Sequence, residues 1–379
     1  MNETRYIMAG SFIDGSGAGM RRNVFLEVKD GVISDIGPAA GLSRDHGTVI
    51  DDLSHCTILP ALIDCSVFLL HSPSVDEVQP TSAGSDPAAK TSMMARHIGY
   101  CHAHGVLGVV ESEDISDHKK HYQEGMTRGS LVDIRTPGSD FIRIDYSGNI
   151  DDGDVLSPRP GPADLCRILR RKGGKKAVVV ANGARQVAEA LAAGCDVIEQ
   201  GYGMGEENLR QMAQKNVLWI PSALRAKNRL DGSAGGGSVC CRFSQRYVAP
   251  GKAVPGAEAF WKKTLAGQLA QLRLARKLGV KTAVGTGAGS FGILHGESMV
   301  EEMKLFIKAG FTLEEIIRCA SENGAGFFGM DDLGALAVDR KATFLVSRGS
   351  VPQLPRKLSY LEGVYINGKP SAAYRKNPF

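Results

Sequence analysis

Short apolar segments that suit β-strands alternate with amphipathic helical segments through most of this 379-residue chain. This alternation predicts βα units and a parallel sheet. The eight predicted strands lie at residues 57–66, 106–111, 131–135, 140–146, 176–181, 195–200, 216–220 and 281–286. Eight such units within about 250 residues are typical of a (β/α)8 TIM barrel. The predicted fold class is therefore α/β, with this barrel as its main part.

The connection between the third and fourth predicted strands is too short for a helix. Only residues 136–139, Thr-Pro-Gly-Ser, and their neighbours separate the two strands, whereas a parallel crossover needs about a dozen residues. Either the third helix is missing and the barrel is distorted there, or one of the two strands is misassigned. Both outcomes alter the face on which barrel enzymes place their chemistry.

Composition and charge argue against several classes of partner. The 45 basic and 41 acidic residues give a formal charge of +4, which is too small and too dispersed to indicate nucleic acid or a membrane surface. No apolar run approaches the roughly 20 residues that span a bilayer, and residues 1–6 lack the apolar core of a signal peptide. The 8 cysteines form no CxxC pair. We therefore expect a reduced chain in the cytoplasm.

The segment from Thr57 to Leu70 has the sequence T-I-L-P-A-L-I-D-C-S-V-F-L-L. It resembles the first barrel strand of the amidohydrolase superfamily, L-P-G-L-I-D-x-H-x-H, in which the two histidines are metal ligands. The resemblance spans nearly the whole chain, including residues 319–325 and Asp332-Leu333-Gly334. It is strongest to the imidazolonepropionase-like and Xaa-Pro-dipeptidase-like branch.

This resemblance also implies a small β-sandwich domain beside the barrel. Residues 5–52 alternate as short strands and tight turns, with a hairpin signal at Asp30-Gly31. Strand patterns return at 334–336, 342–346 and 364–368. We expect a discontinuous β-sandwich domain from residues 1–56 and 330–379, and the TIM-barrel domain from residues 57–329.

In the family that this chain resembles, a binuclear site uses two histidines after strand one, a carboxylated lysine on strand four, histidines on strands five and six, and an aspartate on strand eight. The corresponding positions here hold Ser66, Phe68, Arg143, Val180, Gln200 and Gly287. Valine, phenylalanine and glycine have no side-chain lone pair, and an arginine cannot form the carbamate bridge. Zinc-class ions need imidazole, thiolate or carboxylate ligands. We therefore predict no bound metal and no cofactor.

A barrel mouth without its metal can still hold a ligand. Its expected lining is Ser66, Phe68, Arg143, Asp145, Tyr146, Gln200, Tyr202, Gly287 and His295. The resemblance implies that Tyr202 and His295 lie where related enzymes hold substrate. Arg143 can pair with a ligand carboxylate in fork geometry, or with Asp145 or Asp64 as an internal ion pair. Alternation with Gln200 predicts that Glu199 points into the barrel wall.

Other candidate groups have simpler structural explanations. His102 and His104 are two apart at a predicted helix end and should point in different directions, which favours a solvated helix end. His118 and His121 flank two lysines, which favours an exposed basic face. Cys65 would need a nearby base to act as a nucleophile. His71 is the only histidine near it in sequence, and a buried structural cysteine is the favoured interpretation.

Three functions remain open, and no catalytic residue is assigned. The first is a metal-free pseudoenzyme that binds a small molecule or supports an active homologue, as a homo-oligomer or in a complex. The second is a hydrolase of C–N bonds in a cyclic amide or acyl-amino-acid, working without metal or with atypical ligands. The third is a structural subunit whose pocket has collapsed around Phe68 and Val180. The glycine-rich residues 225–255 are either a lid or a disordered insertion.

Overall fold

The computed structural model describes residues 4–42, 49–73, 87–124, 132–150, 159–233, 255–290, 292–349 and 351–374. Within these ranges the protein has a mixed α/β fold with one mixed sheet and two parallel sheets. Most of the glycine-rich segment predicted as a lid or an insertion, residues 234–254, lies outside the described residues. None of the described helices is long and apolar enough to cross a membrane.

The strands are β1 (Thr4–Phe12), β2 (Arg21–Lys29), β3 (Val32–Pro38), β4 (Val49–Pro60), β5 (Leu62–Val67), β6 (Val106–Glu111), β7 (Asp133–Arg135), β8 (Phe141–Asp145), β9 (Lys176–Ala181), β10 (Val197–Gln200), β11 (Leu218–Ile220), β12 (Phe344–Arg348), β13 (Leu361–Ile366) and β14 (Lys369–Pro370). The α-helices are α1 (Pro87–Ala103), α2 (Ser116–Glu124), α3 (Pro162–Arg170), α4 (Ala184–Ala193), α5 (Glu206–Lys215), α6 (Ala223–Ser233), α7 (Ala257–Leu278), α8 (Ser298–Lys308), α9 (Leu313–Cys319) and α10 (Glu322–Phe328). Short 3₁₀ helices lie at Ala39–Gly41, Val351–Gln353 and Arg356–Tyr360.

Strands from both ends of the chain share one seven-stranded sheet, in the order β14-β13-β12-β4-β1-β2-β3. The hairpin predicted at Asp30-Gly31 joins β2 to β3, and these two residues have φ angles of 50° and 84°. Positive φ at both central positions matches the twist of the strands on either side of a tight hairpin. Residues 334–336 form no strand. The sandwich arrangement and the two domain ranges stay predictions.

The predicted first barrel strand, residues 57–66, is in fact parts of two strands. β4 belongs to the seven-stranded sheet, where its last residue, Pro60, is paired with Phe344 of β12. β5 starts at Leu62 and pairs in parallel with β6. Proline has no N–H to donate to a ladder, which suits a position where the chain leaves one sheet for another.

The remaining described strands form two parallel sheets, ordered β5-β6-β7 and β8-β9-β10-β11. No helix lies between β7 and β8, because residues 136–140 form a tight turn in which Thr136 N donates to Asp140 Oδ2 at 2.7 Å. A single parallel bridge between Pro137 and Phe141 joins this turn to β8. Of the two alternatives left open by the sequence, the structure therefore shows the first, in which no third helix lies between β7 and β8.

Residues 281–286, predicted as the eighth strand, form no continuous strand. Single parallel bridges join Thr282 to Trp219 of β11 and Ala288 to Val67 of β5. The segment thus contacts one edge strand of each parallel sheet, β11 in one and β5 in the other. Gly287 and Gly289, which follow the predicted strand, have φ angles of 74° and 93°, outside the range of a regular strand, so the segment does not continue as a β-ladder beyond residue 286.

The strands of the parallel sheets bury both faces, as expected where helices cover one side. Alternate residues on one face, such as Val179 and Ile198, join the large core that includes Val187 of α4 and Leu209 of α5. We call the opposite face the inner face. It is formed by Phe141, Val178, Val197 and Leu218, together with Ile63, Cys65 and Val110. The polar candidates near the carboxyl ends of these strands lie just beyond this inner core.

Candidate functional site

A buried ion pair links three strands at their carboxyl ends. Glu199 of β10 accepts a hydrogen bond from Ser66 Oγ of β5 at 2.8 Å and another from Arg143 Nε of β8 at 2.9 Å. The side chains of Arg143 and Glu199 are only 11% and 2% exposed. Burial tends to raise the pKa of Glu199, but the Arg143 charge and hydrogen bond, with the charge of Arg225, hold it below its usual value. Glu199 is therefore ionised at neutral pH.

The side-chain direction of Glu199 differs from the sequence prediction. Side chains alternate between the faces of a strand, and Val197, two residues earlier, lies on the inner face while Ile198 lies on the helix-covered face. Glu199 therefore points inward with Val197. The prediction that it points into the wall was wrong because the alternation was counted from Gln200, which has a φ of 73° and has left the regular strand conformation.

Two guanidinium groups lie over the ring of Phe68. Arg143 Cζ is 5.9 Å and Arg225 Cζ is 5.6 Å from the ring centroid, within the range of favourable cation–π contact. Arg225, on α6, is 1% exposed. Its charge also acts on Glu199. The described residues thus bring two cations, one carboxylate and one aromatic ring together.

Arg225 fills the space next to Gly287. A Cβ built on Gly287 would lie 2.7 Å from Arg225 Nε and 2.9 Å from both Cζ and Nη2. Gly287 also has a φ of 74°, a conformation that costs other residues energy. The backbone N–H of Gly287 donates to Ser66 O at 2.8 Å. No side chain fits at position 287 unless Arg225 moves.

The start of α6, and with it Arg225, is held by two buried side chains. Glu302 of α8 accepts hydrogen bonds from the N–H groups of Ala223 and Leu224, at 2.8 and 2.6 Å. Tyr202 donates its hydroxyl hydrogen to Ser222 O at 2.7 Å. Burial raises the pKa of Glu302 to about 8, against the lowering effect of the two backbone hydrogen bonds. Glu302 is therefore mostly protonated at neutral pH.

Neither aspartate considered as a partner for Arg143 pairs with it. Asp64 accepts hydrogen bonds from Thr286 N at 2.8 Å and Thr286 Oγ1 at 2.6 Å, and burial raises its pKa to about 6. Asp145 is exposed and accepts a hydrogen bond from Gly148 N at 2.6 Å. The predicted internal ion pair exists, but its carboxylate is Glu199.

Two of the predicted lining residues make their polar contacts elsewhere. Gln200 Oε1 accepts hydrogen bonds from Ile150 N at 2.9 Å and Asn182 Nδ2 at 3.0 Å, and its Nε2 donates to Asn149 Oδ1 at 2.6 Å. The Tyr146 hydroxyl donates to Glu189 of α4. These residues hold the loop after β8 and its contact with a helix. Their hydrogen-bonding groups are not directed at Arg143.

His295 supports the backbone of Phe68. It donates from Nε2 to Phe68 O at 3.0 Å, and its ring stacks on His97 with centroids 4.0 Å apart. Burial, with the nearby His97, keeps the pKa of His295 well below its usual value, so the ring is neutral. His71 and Glu113 form a more exposed pair, 3.0 Å apart, and the His71 ring lies 5.2 Å from that of Phe68.

The other predicted candidates are structural. His102 and His104 are buried, with contacts to Ser371 Oγ at 3.1 Å and Tyr100 O at 2.9 Å, so the expected solvated helix end was wrong. Cys65 lies in the inner core, and burial raises its thiol pKa well above the usual value. Among the residues described, no group of three or more His, Cys, Asp or Glu side chains could hold a metal ion.

Sequence reasoning missed Arg225 and Glu302, because neither lies at a position that the family pattern marks. Arg225 stands alone between apolar residues in the segment P-S-A-L-R-A directly after β11. A single arginine in an apolar segment after a parallel strand was the available signal, since such side chains are rarely buried without a specific role.

The amidohydrolase family model matches residues 170–370, more than half of the chain. The chain resembles a Xaa-Pro dipeptidase solved with methionine in its active site, with a TM-score of 0.77 and 18% identity over 97% of this chain and 100% of that chain. It also resembles a putative prolidase from Bifidobacterium longum (TM-score 0.75, 17% identity, 100% and 96% coverage) and A. niger ochratoxinase (0.74, 17%, 98% and 96%). Among proteins of curated function, none matches the sequence. The protein is a member of the amidohydrolase family.

Proposed function

We propose that this protein is a pseudoenzyme of the amidohydrolase fold that binds a small molecule without a metal centre. The observation behind this proposal is the contact between Arg225 and Gly287, where a Cβ would lie 2.7 Å from Arg225 Nε. In the family, a carboxylate ligand stands at the position that Gly287 occupies here. A guanidinium now fills that space.

The side chains at the other ligand positions do not fit a divalent cation. Phe68 and Val180 offer no lone pair, and Arg143 brings a positive charge that repels a cation. The ionised carboxylate of Glu199, which contacts these residues, already accepts hydrogen bonds from Ser66 and Arg143. Zinc and manganese chemistry therefore has no suitable donor set here, and we assign no step to a metal.

We infer that the two parallel sheets belong to one (β/α)8 barrel, with the small domain built from residues 1–56 and 330–379. The bridges from Thr282 to Trp219 and from Ala288 to Val67 support closure, because they connect the outer strands of the two sheets through one segment. In such a barrel the ion pair lies on the face that related enzymes use for substrate.

In this proposal the predicted lining residues have two roles. Arg143 and Phe68 contact the ligand, with Ser66 and Gly287 forming the floor of the site. Tyr202 and His295 position α6 and the Phe68 backbone, while Gln200 and Tyr146 hold the loop after β8. Homo-oligomerisation, support of an active homologue and cytoplasmic residence stay predictions.

Metal-free hydrolysis of a C–N bond is the competing function. The similar structures include a dipeptidase and an ochratoxinase. The contacts of Cys65, the candidate nucleophile, do not suit this reaction. Burial, and the nearby Asp64 and Glu199, raise the pKa of Cys65, which disfavours the thiolate that attack requires. His71 contacts Glu113. These contacts favour binding over hydrolysis.

Metal analysis tests the proposal. The protein is purified without chelator, dialysed against buffer with zinc and manganese, and analysed by mass spectrometry for metal per chain. A second sample treated with chelator serves as the control. We expect the two samples to match, with far less than one ion per chain. One or two tightly held ions per chain in the untreated sample would refute the proposal.

A further inference from the structure

We infer that the ligand of this site is a small carboxylate, bound by the Nη1–Nη2 edge of Arg143 beside the ring of Phe68. This inference rests on the proposed function, because it requires the site to be free of metal. It adds the chemical class of the ligand and the atoms that recognise it.

Arg143 has unused hydrogen-bonding capacity. To the residues that the structure describes, it makes a single hydrogen bond, from Nε to Glu199 at 2.9 Å. Nη2 is buried and has no hydrogen-bond partner among those residues. A guanidinium has five N–H donors, and four of them form two edges with two parallel N–H groups each. Because Nε is directed at Glu199, the edge formed by Nη1 and Nη2 remains for a ligand. A buried charged donor such as Nη2 is unfavourable without a hydrogen-bond partner.

Arg143 and Arg225 both act on the carboxylate of Glu199, so two guanidinium groups share this one carboxylate. Asp64 directs its oxygens to Thr286 and to the N–H of Ser66 rather than to Arg143. The charge of Arg225 also acts on Glu302, which is mostly neutral at pH 7.

Glu113 is the remaining carboxylate near Arg143, and its pKa is held low mainly by its hydrogen bond to His71. His71 and Glu113 are 37% and 46% exposed, so they lie at the solvent side of the site. An anion bound at the Nη1–Nη2 edge of Arg143 leaves the hydrogen bond from Nε to Glu199 intact.

A carboxylate fits better than the other anions. Two parallel N–H groups match the two oxygens of one carboxylate. A phosphate dianion has more oxygens and more charge than one free guanidinium edge can satisfy. The ring of Phe68, which lies within about 6 Å of both guanidinium groups, offers an apolar surface for the rest of the ligand.

The experiment compares benzoate with benzamide by isothermal titration calorimetry. Both probes have the same ring, but only benzoate is an anion. We use the wild type, Arg143→Lys and Arg143→Gln, with Arg210→Gln as a matched control. Arg210 lies on α5 and pairs with Glu206, about half exposed. Arg143→Lys keeps the charge beside Glu199 and removes the planar fork, so it remains informative if Arg143→Gln does not fold.

We expect benzoate to bind the wild type and Arg210→Gln equally, and benzamide not to bind measurably. Both Arg143 variants should weaken benzoate binding by about tenfold or more, as expected for loss of charged hydrogen bonds. Unchanged benzoate binding in Arg143→Lys would overturn the inference, and so would binding of inorganic phosphate without binding of benzoate.

The metal analysis separates the two proposals. Absence of both metal and benzoate binding refutes the carboxylate inference and leaves the metal-free site in place. Stoichiometric metal refutes both.

Discussion

The guanidinium of Arg225 lies against the α-carbon of Gly287, so close that a Cβ on residue 287 would be 2.7 Å from Arg225 Nε. The two residues are adjacent in space although 62 positions separate them in the sequence. Glycine at 287 and arginine at 225 are therefore compatible as a pair, and a change at one position affects the other.

This contact predicts that the effects of Gly287→Ala and Arg225→Ala on stability are coupled. Alone, Gly287→Ala should cost about 1–2 kcal/mol for its positive φ plus about 1–3 kcal/mol for displacing Arg225. With Arg225→Ala present, only the backbone cost remains. Urea unfolding of the two single variants and the double variant measures the coupling, which should be about 1 kcal/mol or more.

Gly279→Ala is the control for the backbone cost. Gly279 has a φ of 73°, and a Cβ there would meet no atom within 4 Å. Its substitution should cost about the same as Gly287→Ala in the Arg225→Ala background. Strict additivity of the Gly287 and Arg225 changes would contradict the contact.

Glu199→Gln should destabilise the protein strongly. The substitution keeps the shape of the side chain but leaves the buried charge of Arg143 without its ionic partner, at a cost of about 3 kcal/mol or more. Asp164→Asn, in the exposed pair between Asp164 and Arg167, should cost under about 1 kcal/mol. Chemical denaturation at pH 7 compares the two. Equal small losses would show that the Glu199 pair is not buried.

Glu302 should make stability depend on pH. Its pKa rises from 4.5 to about 8 on folding, mainly because it is buried. The folded state therefore holds a proton that the unfolded state releases between pH 4.5 and 8, and stability from this group is lost as pH rises through that window. The loss is at most about 1.4 kcal/mol per pH unit.

Glu302→Gln removes this titration. The difference in unfolding free energy between wild type and variant, measured at pH 5, 6.5 and 8, should move steadily in favour of the variant as pH rises. A constant offset at all three values would mean that the Glu302 pKa does not change on folding.

Cys65 should resist thiol reagents in the folded protein. Its thiol is buried and its pKa is raised, whereas Cys166 on α3 is partly accessible. Iodoacetamide labelling at pH 7.5, followed by peptide mass mapping, should modify Cys166 well before Cys65 in native protein. In urea both should react. Rapid labelling of Cys65 under native conditions would revive the nucleophile hypothesis.

Local sequence predicts the positions of the strands better than the side-chain contacts of the site. The βα alternation and the Asp30-Gly31 hairpin follow from short-range patterns. The short chain between β7 and β8 indicated an irregularity there, but it left open whether a helix was missing or a strand was misassigned. The predicted eighth strand makes only a single bridge to the described residues, from Thr282 to Trp219, and it is followed by Gly287 and Gly289, whose positive φ angles end any regular ladder.

The contacts of the site depend on which side chains meet across the fold, and sequence spacing does not contain that information. Ser66 meets Glu199 across 133 positions. Arg225 lies against Gly287 on a helix whose start is hydrogen-bonded to Glu302 and Tyr202. The six positions compared with the family pattern gave no information on the arginine that fills the space beside Gly287.

The most direct measurement is an anomalous difference map from crystals grown with zinc and manganese, collected above each metal's absorption edge. Our account predicts no anomalous peak between Ser66, Arg143, Gln200 and Gly287, and continuous density for the Arg225 guanidinium beside Gly287. A coordinated zinc or manganese ion at that place, with Arg225 displaced, would contradict it.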